Sequence, residues 1–338
     1  MAGNTVTILD VAKLAGVSPS AVSKVLNGKS VLDATREKVL KVSRHLGYQP
    51  NAFAQGIRRS RCGNIGIVIF SESMWFHDFV FELLELCTIK SIVVMVENHI
   101  ESEETLPKFL SMVDGLIILD RCPQGFLDNL KRNGNPPVIT IDEILNYERS
   151  YTLGKDHHLM ARKSVEYLVV NGHKNIKLIA PTPDYLGLDQ RVTGFRETLI
   201  EFLGKCNDDQ IIFTPSTSRF DELMQFGYDY TVELIKSGKL PTALVYATDK
   251  LASGGIVAIK EAGIRVPEDL SVISFSSNEN NFLTIPLLTT IVHDTKHMAK
   301  TMLEQLLKMV EDPKACGQYD VSVFYLVNRG SVRNLNLN

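Results

Sequence analysis

After residue 62 the chain repeats one pattern: a short apolar run, then an amphipathic stretch, then another run. The runs fall at 65–70, 91–96, 115–119, 137–141, 176–180, 210–214, 242–246, 271–275, 288–292 and 323–327. Several, such as Ile65-Gly66-Ile67-Val68-Ile69-Phe70, are apolar at successive positions instead of alternating with polar ones. Strands of that kind are buried on both faces, which predicts parallel sheets covered by helices on each side. Between the runs, stretches such as Lys296 to Val310 place Met298, Met302, Leu303, Leu306, Leu307 and Val310 at three- and four-residue steps, the spacing of one helix face. These methionines and leucines read as core. Ten strands exceed one comfortable sheet, so the body is expected to hold two sheets in two subdomains, with any ligand in the crevice at the strands' carboxyl ends.

The first 62 residues differ. Their periodicity is helical throughout, and Ile8 to Leu26 reads as two short helices joined by a tight turn. Ala12 is small where the helices cross, Gly16 supplies the left-handed conformation of the turn, and Val11, Ala15, Val17, Val22 and Val25 fill the shared core. Ser18 is placed to cap the second helix, with Pro19 in its first turn, where a missing N–H costs nothing. A third helix is expected from about Asp33 to Leu46, with Val39, Leu40, Val42, Ser43 and Leu46 inward and Gly47 as its stop.

Charge divides at the same place. Residues 1–62 carry ten Lys/Arg against Asp10, Asp33 and Glu37, so a chain of net charge −3 splits into a head of +7 and a body of −10. A basic helical head on an acidic body is the footprint of a polyanion reader attached to a part that does not bind. The composition, 44% hydrophobic and 22% charged, excludes disorder and a collagen-like fibre. No apolar run approaches the roughly 18 residues of a membrane span. The start lacks a signal-peptide layout, and the five cysteines (Cys62, Cys87, Cys122, Cys206, Cys316) are odd in number and scattered, so a reducing cytoplasm is expected.

Thr7-Ile-Leu-Asp-Val-Ala-Lys-Leu-Ala-Gly-Val-Ser-Pro-Ser-Ala-Val-Ser-Lys-Val-Leu-Asn-Gly28, Thr35-Arg-Glu-Lys-Val39 and Leu46-Gly-Tyr-Gln-Pro-Asn-Ala52 closely resemble the DNA-binding head of the LacI/GalR family of bacterial transcription regulators. Val113-Asp-Gly-Leu-Ile-Ile118, Asn171-Gly-His-Lys-Asn-Ile176, Arg191-Val-Thr-Gly-Phe195, Ala262-Gly-Ile-Arg-Val-Pro-Glu-Asp-Leu-Ser-Val272 and Pro286-Leu-Leu-Thr-Thr-Ile291 resemble its effector-binding core, in one register from residue 7 to about 333. The resemblance implies a helix-turn-helix domain (1–49), a hinge helix and linker (50–62), and a periplasmic-binding-protein-like core (63–338). The core's N-subdomain would take about 63–160 and 292–322, and its C-subdomain about 161–291 and 323–338. It also implies a repressor that binds a pseudo-palindromic operator as a homodimer, or as a tetramer, switched by a sugar or sugar phosphate.

By position, the second helix would enter the major groove with Pro19, Ser20 and Lys24 foremost. Proline cannot donate and serine is permissive, so Lys24 is the expected reader, suited to guanine O6 and N7. Thr7, Ser18, Ser23 and Asn27 would fix phosphates. The hinge would contribute Asn51, Ala54, Ile57 and Arg58, with Ile57 as the apolar wedge that kinks the duplex in its minor groove.

In the core, Trp75 and Phe76 would stack on a ligand ring, Arg191 would hold hydroxyls or an anion, and Thr248, Asp249 and Ser276 would complete the site. Two departures stand out. Phe275-Ser276-Ser277 replaces the family's usual Phe-Asp-Asp, and the stretch from Ile65 to Gly115 is several residues shorter than its pattern.

No catalytic or cofactor arrangement is expected. The cysteines and histidines lack metal-ligand spacing, His157 and His158 would point to different helix faces, and Gly254-Gly255 lies in a helix pattern instead of a phosphate loop. A binding protein of transport type is the alternative, and the basic head speaks against it.

Overall fold

A computed structural model describes residues 6–26, 30–48, 62–70, 75–98, 105–119, 122–183, 186–217, 219–275, 287–317 and 319–337. The chain divides into two compact units, Met1–Gly63 and Asn64–Asn338.

Among the described residues the first unit holds three helices, α1 (Ile8–Ala15), α2 (Pro19–Leu26) and α3 (Asp33–His45). Thr7 opens α1 with a capping box. Its hydroxyl and backbone N–H donate to the Asp10 carboxylate at 2.6 and 2.8 Å, and Asp10 N–H donates back to the hydroxyl. These hydrogen bonds hold the Asp10 carboxyl below its ordinary pKa. Gly16 stands at φ 62°, and Val17 N–H then closes on the Ala12 carbonyl at 3.1 Å, the left-handed stop that frees the chain to turn. Ser18 Oγ accepts from Ala21 N–H at 3.1 Å and caps α2 as expected. Val11, Ala12, Ala15, Val22, Val25 and Val39 form the buried centre.

Among the described residues the second unit holds two six-stranded sheets. The first runs β1 (Asn64–Ile69), α4 (Trp75–Ile89), β2 (Val93–Asn98), α5 (Thr105–Leu110), β3 (Gly115–Leu119), α6 (Gln124–Arg132), β4 (Val138–Ile141) and β5 (Ser150–Gly154). The second runs α7 (His157–Val170), β6 (Ile176–Pro181), α8 (Leu186–Leu203), β7 (Ile211–Thr214), α9 (Phe220–Lys236), β8 (Ala243–Tyr246), α10 (Asp249–Glu261), β9 (Ser271–Ser274) and β10 (Thr289–His293). The chain then returns through α11 (Thr295–Glu311) and β11 (Tyr319–Val321) to the first sheet and crosses back with β12 (Phe324–Val327). The orders are β11-β5-β4-β3-β1-β2 and β12-β10-β9-β8-β6-β7. All pairings are parallel except β10 with β12.

The apolar runs behave as their composition requires. Ile65, Ile67, Ile117 and Leu119 pack on one face of the first sheet with Phe79, Met298, Met302 and Leu306. Val68, Leu116 and Ile118 pack on the other with Phe109 and Phe126. Strands β1 and β3 therefore each feed two cores, which leaves them no polar face to encode.

Three sequence expectations need correction. Strands β5 and β11 join the ten expected. In β5 the polar Ser150 and Thr152 are buried, satisfied by the Tyr147 and Glu143 carbonyls, so the run does not look apolar. Strand β11 is a short exposed edge. The run at 91–96 starts later, at Val93, because Ser91 turns the chain at φ 56°.

Gly254 and Gly255 lie inside α10, as the helical pattern implied. A Cβ on Gly254 would stand 1.8 Å from the Met224 carbonyl oxygen of α9, and one on Gly227 would stand 2.0 Å from that of Leu251. These glycines let the two helices touch backbone to backbone.

Candidate DNA interface and effector site

On the head, α2 turns Val22 and Val25 into the core and leaves Ser18, Pro19, Ser20 and Lys24 exposed on its opposite side. The side expected to meet base edges is thus not consumed by the fold. Thr7 is exposed, its hydroxyl committed to Asp10, and Ser23 is half-buried. Asn27, Asn51, Ala54, Ile57 and Arg58, with the rest of 49–61, lie outside the described residues.

In the core, strand ends from both sheets bring a polar cluster together. Asp142 follows β4, Lys155 follows β5, His157 opens α7, Arg191 lies on α8, Ala247 follows β8, and His293 ends β10. Arg191 Nε donates to His157 Nδ1 at 3.1 Å, and Arg191 Nη1 donates to the Ala247 carbonyl at 2.6 Å. His157 Nε2 stands 3.4 Å from Asp142 Oδ2, an electrostatic contact longer than an ordinary hydrogen bond. Lys155 Nζ lies 2.9 Å from the same oxygen.

The charge states follow from these neighbours. Burial disfavours the Asp142 charge, yet the Lys155 ammonium and the His157 contact outweigh it and hold the carboxyl well below its usual range. Burial, then the nearby Arg191 charge, pushes the His157 imidazole down to about 4. His293 is held well below its ordinary value by burial and then by the Lys155 charge. Near neutral pH the cluster is one ion pair, one arginine and two neutral histidines.

Of the expected effector residues, Arg191 lies in this cluster, and Thr248 and Asp249 follow Ala247, whose carbonyl Arg191 holds. Thr248 adjoins Ala247 and caps α10, its hydroxyl accepting from Leu251 N–H at 3.2 Å, and Asp249 is half-buried in the first turn. Trp75 and Phe76 open α4 after β1, and their side chains lie outside the described residues, as does Ser276. Phe275 is buried in the second sheet's core. Asp142, Lys155, His157 and His293 were not singled out as site residues. The signal was available for Asp142, an acid directly after an expected buried strand. For Lys155 and His157 it was hidden, because β5 was not recognised. His158, next to His157, instead faces outward to Glu197 at 2.7 Å. Among the described residues no group of three metal-ligating side chains is arranged to hold an ion, and no helix is long and apolar enough to cross a membrane.

The sequence model described as bacterial regulatory proteins, lacI family, matches residues 7–51, and that of a periplasmic binding protein-like domain matches residues 165–332. The HTH-type transcriptional repressor PurR of Glaesserella parasuis is 32% identical over 349 residues, covering 98% of this chain and 99% of that protein. Catabolite control protein A of Priestia megaterium is 28% identical over 313 residues, covering 90% of this chain and 92% of that protein. The crystal structure of the Lac repressor dimer bound to operator and the anti-inducer ONPF superposes with a TM-score of 0.77 at 26% identity, covering 97% of this chain and all of that one. Such relatives are regulators of transcription, not enzymes. A capped helix-turn-helix with a free, basic second helix, joined in one chain to a two-sheet binding core, places this protein in the lacI family of bacterial transcriptional regulators.

Proposed function

We propose that the protein is a repressor that binds a pseudo-palindromic operator as a homodimer and is switched by a small hydroxyl-rich effector, a sugar or sugar derivative, held in the core. The observation that carries this reading is the free face of α2, with Pro19, Ser20 and Lys24 exposed above a well-packed three-helix centre. Lys24 reads a base edge, while Thr7, Ser18, Ser23, Asn27 and backbone N–H groups at helix starts fix phosphates. Asn51, Ala54, Ile57 and Arg58 serve the hinge, with Ile57 as the wedge between base steps.

The effector site combines a planar donor, Arg191, with the Asp249 carboxylate and the Thr248 hydroxyl. Donors and acceptors mixed in this way suit sugar hydroxyls, which offer both. Trp75, Phe76 and Ser276 complete the site in this reading. The N-subdomain and C-subdomain, divided near residues 160, 292 and 322, move against one another on binding and bias the hinge, and couplings of about 1–3 kcal/mol are typical of such switches.

Operator binding by the full chain across a salt series, for wild type and Ile57→Ala, tests the DNA half. Specific affinity should fall steeply with salt, and Ile57→Ala should weaken specific binding more than nonspecific binding. Equal losses on both overturn the wedge. A thermal-shift screen against D-ribose, D-glucose and cellobiose, and against their phosphates, tests the effector half, since a bound ligand raises stability by mass action.

A further inference from the structure

We infer that His157 is a positioning residue of the effector site: its imidazole fixes the guanidinium of Arg191 and stands between it and Asp142 of the other sheet. The inference rests on the reading of Arg191 as an effector group.

Three observations carry it. First, the Arg191 fork is held at two points, Nε on His157 Nδ1 at 3.1 Å and Nη1 on the Ala247 carbonyl at 2.6 Å. Two bonds from one planar group set its plane, and Nη2 has no acceptor among the described residues. An arginine prepared in this way presents a donor to a ligand without losing side-chain freedom at the moment of binding. Second, Nδ1 accepts only when Nε2 carries the proton. Arg191 Nε–H can only donate, so it selects that tautomer; Nε2 has no hydrogen-bond partner, with Asp142 Oδ2 3.4 Å away, and a ring 3% exposed next to Arg191 stays uncharged. Third, His157 is itself rigid. It is the first residue of α7, whose cap Asp156 accepts from Leu159 N–H at 2.8 Å.

The placement matters because the partners belong to different sheets. Asp142 follows β4 of the first sheet, and Arg191 lies on α8, packed against the second. A histidine with one nitrogen toward each makes the arginine's orientation depend on how the two sheets stand.

The test uses the full-length protein with arginine side chains labelled with ¹⁵N, the Arg191 signal being assigned through Arg191→Lys. His157→Asn keeps an acceptor where Nδ1 stood, and His157→Phe keeps the ring volume without one. The Arg191 Nε–H should exchange slowly with solvent in wild type and His157→Asn, and at least tenfold faster in His157→Phe. Equal protection in wild type and His157→Phe overturns the assignment, as does loss in His157→Asn as complete as in His157→Phe. Should His157→Phe fail to fold, the imidazole ¹⁵N spectrum of the wild type decides: a bare, hydrogen-bonded Nδ1 supports the role, and a protonated Nδ1 overturns it. Absence of any thermal shift with D-ribose, D-glucose, cellobiose or their phosphates overturns the effector reading separately, while the exchange result still decides what His157 does to Arg191.

Discussion

Lys155 meets Asp142 twice, its backbone N–H donating to Oδ1 at 2.6 Å and its ammonium standing 2.9 Å from Oδ2. One carboxylate thus locks the ends of neighbouring strands β4 and β5, from a backbone turned to φ 61°.

Removing that carboxylate takes both of these contacts from Lys155, whose side chain is only 10% exposed. Asp142→Ala should cost about 3–5 kcal/mol, the usual penalty for breaking a largely buried pair. Urea unfolding of the full chain measures it, and a loss below about 1 kcal/mol shows that water already screens the pair.

The buried histidines predict a pH dependence of stability. His157 titrates at about 4 in the fold and near 6.5 when unfolded. Between those values the unfolded chain binds a proton that the native one does not, so stability falls as pH drops through 6.5 toward 4. His293, lowered in the same direction, adds to the slope. From pH 6.5 to 5 His157 contributes up to about 2 kcal/mol of loss. Below about pH 4 protonation of Asp142 continues the trend, because its native carboxyl stays charged after the unfolded one has protonated. Chemical unfolding across this range should show the fall, with a shallower slope for His157→Asn; a flat profile contradicts the buried neutral pair.

Helix propensity and packing make opposite predictions at Gly254. On an exposed helix Gly→Ala gains up to about 1 kcal/mol. Here the new methyl would meet the Met224 carbonyl at 1.8 Å, and a helix backbone cannot step aside as a flexible side chain can. Gly254→Ala should therefore destabilise the core by about 3 kcal/mol or more. A raised melting temperature would show that α9 and α10 are not in backbone contact.

The head separates folding from reading. Ser18→Ala removes the cap of α2 and should cost about 1 kcal/mol of stability. Lys24→Ala should leave the melting curve unchanged and weaken specific operator binding by about 10- to 100-fold, as expected for loss of a base-edge contact. Anisotropy titrations paired with melting curves distinguish them; Lys24→Ala with full affinity removes lysine from the readout.

Much of the fold was legible in the chain itself. Val11, Ala12, Ala15, Val22 and Val25 repeat at helical steps around Gly16, and Ser18-Pro19 marks a helix start, so the head follows from interactions spanning a few residues. Strands apolar at successive positions specify burial on two faces, hence parallel sheets under helices. Strand β5 does not stand out in the sequence because Ser150 and Thr152 are buried with their polar atoms satisfied by nearby carbonyls, a pairing that composition does not show. The antiparallel placement of β12 is set by a crossing between sheets, which local pattern cannot encode.

Within this polar cluster and beside it, the sequence by itself determined which residue types are available at strand and helix ends: Arg191 as a donor, and Thr248 and Asp249 at the start of α10. Only the tertiary structure decided that His157, between Asp142 and Arg191, faces inward while His158 faces out to Glu197. Periodicity describes one helix or strand at a time. The partners of His157 lie 15 and 34 positions away in sequence and meet only where the carboxyl ends of two sheets converge.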